Sequence, residues 1–105
     1  MNEQMNQISM EIILHAGDAR KLVMDAFEKM GNKEFDEVRE LLKLAKIEIL
    51  AAHKAQTETI QAEASGTQHE FSLLFAHAQD TLMTISSEWN IANQLVSVVE
   101  KLTEK

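Results

Sequence analysis

Apolar residues recur every three or four positions along almost the whole of this 105-residue chain, and no proline interrupts the pattern. This spacing places them on one face of an α-helix, and no segment alternates as a β-strand does. Gly31 and Gly66 divide the chain into three stretches of similar length. The sequence therefore predicts an all-α fold, a three-helix up-down-up bundle that forms one domain over residues 1–105. The helices are expected at about residues 3–30, 33–64 and 69–103.

Two short polar segments indicate where the second and third helices begin. Asn32 is a suitable N-cap for the second helix, since its side chain can accept a first-turn N–H group. Thr67 and Glu70 have the spacing of a capping box, in which each side chain satisfies a backbone donor of the other residue. We therefore expect helix starts at residues 33 and 69.

Composition excludes several classes of protein. The absence of cysteine rules out disulfides, thiolate metal sites and cysteine catalysis, and the net charge of -7 argues against a nucleic-acid-binding surface. The first seven residues lack the basic start and apolar block of a secretory signal, and no stretch reaches the roughly 20 apolar residues of a membrane span. We expect a cytoplasmic protein with no nucleic-acid partner and no membrane insertion.

The third helix differs from the other two because two stripes run along it. The first stripe alternates steps of four and three like a coiled-coil seam: Phe71, Phe75, Ala78, Leu82, Ile85, Trp89, Ala92, Val96 and Val99. The second is apolar at both ends and polar in the middle: Leu74, His77, Thr81 or Thr84, Glu88, Ile91, Leu95, Val98 and Leu102. An exposed second stripe would mark an interface, so we expect a homo-oligomer built around this helix.

His77 and Asp80 are the candidate chemical groups of this helix. An imidazole can accept and return a phosphoryl group or a proton, although a core histidine with a satisfied hydrogen bond is the ordinary alternative. Asp80 shares a helix face with His77, and a buried carboxylate needs a cation or several donors. Three Asp80 carboxylates on a common axis would make a pocket for a hard divalent cation such as magnesium (Mg2+).

Gln79 lies roughly 200° around the helix from His77, so any contribution from it to the same site would come from a neighbouring subunit. Two other readings of these residues stay open. One is a non-enzymatic oligomeric helical interaction module, in which His77 and Asp80 are buried polar residues that specify the assembly. The other is a metal-binding bundle that uses His15, His77 and Asp80.

Three segments carry a resemblance to a known family: Ala16–Arg20, Ala52–Thr57 and Phe75–Asp80, the last followed by Leu82, Met83 and Thr84. The chain resembles the cytoplasmic IIA components of the lactose/cellobiose (including chitobiose) type of bacterial sugar phosphotransferase system, over nearly its whole length. It differs at Thr81, where the family commonly has a second histidine.

The resemblance implies a homotrimer with a coiled-coil-like centre formed by the third helices. It implies that His77 accepts a phosphoryl group from the histidine-containing phosphocarrier protein and passes it to a cysteine of the sugar-specific IIB component. It also implies a metal ion bound by Asp80 from three subunits near the trimer axis, with Gln79 close to the phosphorylation site.

Two further expectations concern what stabilises the phosphoryl group. His77 is expected about 15 Å from the start of its helix, too far for the helix dipole to act directly. We also expect helix 1 of the same or another subunit to approach at Ala16 and Gly17, where missing side-chain bulk leaves room for phosphoimidazole.

Overall fold

A computed structural model describes residues 3–66 and 71–104. The helices are α1 (Glu3–Gly31), α2 (Phe35–Ala64) and α3 (Leu73–Thr103). The prediction of an all-α fold is confirmed, since the described residues contain no strand. The molecule is a rod with principal extents of 58 × 20 × 17 Å. None of the helices, as far as their residues are described, combines the length and the apolar character that crossing a membrane would require.

Contacts between the helices fix their directions. Because only residues 32–34 join α1 to α2, these two long, contacting helices must be antiparallel. Between α2 and α3, Arg39 pairs with Glu100 and the Leu42 carbonyl pairs with Trp89. The earlier residue of α2 (Arg39) thus contacts the later residue of α3 (Glu100), and the later residue of α2 (Leu42) contacts the earlier one of α3 (Trp89). This order requires the two helices to be antiparallel. The predicted up-down-up order is therefore confirmed, and α1 and α3 run in the same direction.

The second helix begins at Phe35 instead of the predicted residue 33. Lys33 has a φ of 62°, a left-handed conformation that cannot continue a helix. The N–H groups of Asn32 and Lys33 bond back to carbonyl oxygens at the end of α1, including that of Met30. The prediction that Asn32 caps the second helix is wrong: the N-cap is Glu34, which makes no side-chain capping bond.

The third helix begins at Leu73, four residues later than predicted. Its N-cap is Ser72, whose Oγ accepts the N–H of Phe75 at 3.0 Å. Phe71 precedes the helix and is 85% exposed, so it does not belong to the buried stripe. The capping box predicted from Thr67 and Glu70 lies outside the described residues.

One core runs along the rod and contains residues of all three helices. On α3 it takes the predicted first stripe, whose fully buried members are Ala78, Leu82, Ile85, Ala92 and Val96. Trp89 is half-buried at the edge of this core, and its Nε1 donates a hydrogen bond to the Leu42 carbonyl oxygen at 2.7 Å. The ammonium of Lys46 lies 4.3 Å from the centroid of the Trp89 ring. These contacts fasten α3 to α2.

The predicted second stripe of α3 is divided between two environments. Leu95 packs against the core, and Glu88 accepts hydrogen bonds at 3.1 and 3.3 Å from the guanidinium of Arg20 on α1. The apolar members that remain exposed are Ile91, Val98 and Leu102, at 59%, 49% and 79%. An exposed apolar surface is therefore confirmed, but it is narrower than the sequence predicted because α1 covers part of the stripe.

Candidate functional site

His77 lies in the second turn of α3, and its side chain is exposed. Among the described residues, none forms a hydrogen bond or an ion pair with its imidazole. The alternative of a core histidine with a satisfied hydrogen bond is therefore wrong for the single subunit. A free, neutral imidazole offers a ring nitrogen as a nucleophile near neutral pH.

The late start of α3 changes the electrostatic surroundings of His77. Because the helix begins at Leu73, His77 is four residues from its first residue, which is about 6 Å along the axis. The expected separation of about 15 Å is therefore wrong. The Cα–Cβ bond of a helical residue tilts toward the helix N-terminus, so the imidazole leans toward the end that carries a partial positive charge. That charge favours an added anion there only weakly, because its effect falls off within the first turn of a helix.

Asp80 is exposed on α3 and has no ion-pair partner among the described residues. Two threonine hydroxyls lie near these side chains, but both bond to backbone. Thr81 Oγ1 donates to the His77 carbonyl oxygen, and Thr84 Oγ1 donates to that of Asp80, each at 2.8 Å. The Thr81 hydroxyl therefore bonds to the backbone and not to the imidazole.

Gln79 is half-buried, and it lies on the α2 side of α3. One and two turns further on, the same face carries Met83 and Ser86, which line a groove against α2. His77 instead shares a face with Glu88, which contacts α1. Within one subunit, Gln79 and His77 therefore point toward opposite neighbours, as expected from their angular separation.

The structure does not assemble the metal-binding bundle that the sequence left open. His15 Nδ1 lies 2.7 Å from Glu48 Oε1 of α2, so His15 belongs to the contact between α1 and α2. No group of three histidine, aspartate or glutamate side chains within residues 3–66 and 71–104 is arranged to hold a metal ion. A metal site that uses Asp80 needs more than one subunit.

Gly17 is exposed, and a Cβ atom added to it would have no neighbouring atom within 4 Å. The Arg20–Glu88 pair places these two residues at the same height on the parallel helices α1 and α3. Gly17 is then level with Ile85, which is eight residues, or about 12 Å, beyond His77. The expectation that α1 of the same subunit leaves room for phosphoimidazole at Gly17 is therefore wrong. Approach by another subunit stays a prediction.

One polar residue of the groove between α2 and α3 was not singled out by the sequence. The Oε1 atom of Gln56 is buried and has no hydrogen-bond partner among the described residues. The groove has a volume of about 290 Å3 and is lined by residues such as His53 and Asn90. The Ala52–Thr57 segment, one of the three that carry the family resemblance, pointed to this part of the chain. The sequence did not indicate which of its side chains would be buried.

Residues 7–100 match the model of the phosphotransferase system lactose/cellobiose-specific IIA subunit. The chain belongs to this family. It is 41% identical over its whole length to the lichenan-specific phosphotransferase enzyme IIA component of Bacillus subtilis, of which it covers 96%. Family membership makes this IIA chain a phosphocarrier component of the phosphotransferase system, and it favours this role over a non-enzymatic interaction module.

Solved structures agree with this assignment. The cellobiose-specific enzyme IIA of Bacillus anthracis superposes with a TM-score of 0.90 at 36% identity, over 97% of this IIA chain and 94% of that one. The chitobiose IIA of Escherichia coli, solved in complex with HPr, superposes with a TM-score of 0.84 at 26% identity, over 98% and 100% of the two chains.

Because the space at Gly17 is open, we expect the Gly17→Ala variant to raise the free energy of unfolding of the subunit by about 0.5–1 kcal/mol. Alanine loses less backbone entropy than glycine when a helix forms. Denaturant unfolding followed by circular dichroism, at a protein concentration low enough to keep the subunits apart, measures this change. A lower stability would contradict the open environment, whereas a loss seen only at high concentration would indicate that another subunit packs at Gly17.

Proposed function

We propose that this IIA chain is a cytoplasmic phosphocarrier that accepts a phosphoryl group on His77 from the histidine-containing phosphocarrier protein (HPr). It then donates the group to a cysteine of the sugar-specific IIB component during disaccharide uptake. The observation that carries this proposal is the free, exposed imidazole of His77 near the start of α3. It is supported by family membership and by the complex of the chitobiose IIA with HPr.

Each transfer exchanges one bond to phosphorus for another. An imidazole nitrogen of His77 forms a new N–P bond while the N–P bond of the donor phosphohistidine breaks, and later a cysteine thiolate forms an S–P bond while the His77 bond breaks. Such transfers depend mainly on in-line geometry and on stabilising the phosphoryl oxygens. The N-terminus of α3 supplies only a small part of this stabilisation, because its effect falls off within the first turn and His77 lies in the second. Since these 105 residues contain no cysteine, the accepting thiolate must lie outside them.

The assembly that fits the exposed face of α3 is a homotrimer. Six exposed residues follow one another in steps of four and three, the spacing of a coiled-coil seam. We call them the axial seam: Asp80, Thr84, Ser87, Ile91, Gln94 and Val98. All six side chains are exposed, although Ser87 also borders the groove between α2 and α3, so three parallel copies of α3 could bury the seam around a common axis.

A threefold arrangement would also complete the site of His77. When three helices surround a threefold axis, the side of each helix that lies to the left of the axial seam faces the side of the next helix that lies to the right of it. His77 lies on the α1 edge of α3 and Gln79 on the α2 edge, and rotation about the axis keeps each residue at its height. The arrangement therefore brings Gln79 of a neighbouring subunit toward His77, where its amide N–H can donate to a phosphoryl oxygen.

The Asp80 side chain fits a metal ion only in such an assembly. It is exposed, unpaired within the described residues and part of the axial seam. Three carboxylates offer the hard oxygen ligands that Mg2+ prefers, and a bound cation would neutralise their mutual repulsion. The ion would serve assembly, since the transfer itself is assigned to His77.

We expect the protein to take up one acid-labile phosphoryl group per subunit from phosphoenolpyruvate and the general phosphotransferase proteins, and the His77→Gln variant to take up none. The matched control is His53→Gln, which removes another exposed histidine, on α2, and should leave uptake unchanged. Intact-mass measurement at neutral pH counts the phosphoryl groups. Uptake by His77→Gln, or loss of uptake in His53→Gln alone, would contradict the proposal.

Subunit mixing tests whether Gln79 acts across the boundary. We expect Gln79→Leu to slow phosphorylation of His77 by about 10- to 100-fold, the loss of one hydrogen bond to a charged group. Refolding this variant with an excess of His77→Gln subunits gives its His77 a neighbour with an intact Gln79, so the rate per His77 should recover. A rate that stays low in demonstrably mixed trimers would mean that Gln79 acts within its own subunit or has no role.

A third experiment concerns the cation. We expect EDTA to weaken the trimer of the unsubstituted protein and Mg2+ to restore it, whereas the Asp80→Asn trimer should respond to neither because its axial side chains carry no charge. Native mass spectrometry reports both the subunit count and any bound metal. Asp25→Asn, which neutralises an exposed aspartate of α1, is the control that should keep the response. A trimer indifferent to EDTA in both proteins would exclude a structural cation.

A further inference from the structure

The second half of the axial seam contains one amide between two apolar residues. Gln94 is exposed, as are Ile91 before it and Val98 after it. Among the described residues, none accepts or donates a hydrogen bond to its side chain. The neighbouring amide of Asn93 instead lies beside Trp89, in the groove between α2 and α3. Among the described residues, therefore, no hydrogen bond fixes the Gln94 side chain within its own subunit.

We infer that Gln94 is a positioning residue, which selects a parallel, in-register trimer over other assemblies of α3. The inference rests on the proposed trimer, in which three Gln94 side chains would meet at one height on the axis. A primary amide is both a donor and an acceptor, so each can donate to the next, and the ring of three closes. A polar residue in a coiled-coil seam sets the register and the number of strands at a cost in stability.

The apolar residues of the seam cannot make this selection. If one helix slid by seven residues, about 10 Å, Ile91 would meet Val98, and that contact would still be apolar. Gln94 would then meet Lys101, which offers only donors, or Ser87, whose hydroxyl is shorter, so the closed ring of three amides could not form and part of the amide would be left without a partner. An unsatisfied buried polar group costs about 1–3 kcal/mol. The amide thus penalises arrangements that the apolar residues tolerate.

The consequence reaches the site at the other end of the seam. Gln94 lies fourteen residues, or about 21 Å, from Asp80, so it touches neither the proposed cation nor the phosphoryl group. A fixed register brings three Asp80 carboxylates to one height and each His77 to within about 3 Å of the height of the neighbouring Gln79. Gln94 would therefore act on the site only through the alignment of the helices.

The test compares Gln94→Leu with Gln94→Asn, which keeps an amide, and with Asn93→Leu, which adds a similar apolar side chain outside the seam. Each variant is also made with Lys101→Cys, the next position of the seam. The natural chain has no cysteine, so any disulfide formed by oxidation with copper phenanthroline reports this position alone. Two Lys101→Cys residues meet only in a parallel, in-register assembly. Native mass spectrometry gives the subunit count, and thermal unfolding gives the midpoint.

We expect Gln94→Leu to raise the midpoint of thermal unfolding, to form assemblies of more than one subunit count, and to give a lower disulfide yield. We expect Gln94→Asn and Asn93→Leu to form only the trimer and to give the original disulfide yield. A Gln94→Leu protein that remains one trimer with unchanged cross-linking would overturn the inference and leave the proposed trimer intact. So would a Gln94→Asn protein that behaves like Gln94→Leu. An unsubstituted protein that is monomeric would overturn both, while phosphorylation of His77 could still be measured on the monomer.

Discussion

The structure depends on the fact that α3 buries only one of its two faces. Its buried stripe packs against α1 and α2 through residues such as Leu82 and Ile85, which are almost inaccessible to solvent. The Arg20–Glu88 pair and the bond from Trp89 to the Leu42 carbonyl fix the rotation of the helix about its axis. That rotation determines which residues remain outside. The exposed face is the one that carries His77 and Asp80, so the packing of the core determines where the proposed chemistry would occur.

A comparison of two energies indicates why the exposed face of α3 would need a cation if a trimer buried it. Two carboxylates 4 Å apart repel each other by about 4 kcal/mol at an effective dielectric constant of 20. Burial of a side chain such as Ile91 contributes only about 1.5–3 kcal/mol. Three Asp80 groups around one axis would therefore offset much of what the apolar layers gain. In the proposed trimer, Mg2+ or a similar ion would remove this repulsion, and it would make the assembly responsive to divalent cations.

Much of the fold and part of the site could be predicted from the sequence. The stripe from Ala78 to Val96 was recognised because a strict spacing of four and three leaves few alternatives to a buried helix face. The start of α3 was missed because Phe71 continues this spacing although it lies outside the helix. Ser72, the actual cap, has no distinctive partner three residues on. The hydrogen bond from the Thr81 hydroxyl to the His77 carbonyl oxygen depends on the side-chain rotamer of Thr81. The spacing of residues along the sequence does not determine that rotamer.

The exposure of His77 fits the carrier role that we propose for it. In the proposed transfers, the donor phosphohistidine and the acceptor thiolate would occupy the same position in turn, on the side of phosphorus opposite the His77 nitrogen, because each displacement at phosphorus is in line. A binding pocket shaped around the imidazole would suit one partner and exclude the other. A nucleophile on a rigid helix, with few fixed neighbours, avoids this conflict but leaves the phosphoramidate open to water. In a trimer, the adjacent subunit could cover one side of it and keep the other side free, so the same interface that aligns Gln79 would also limit hydrolysis.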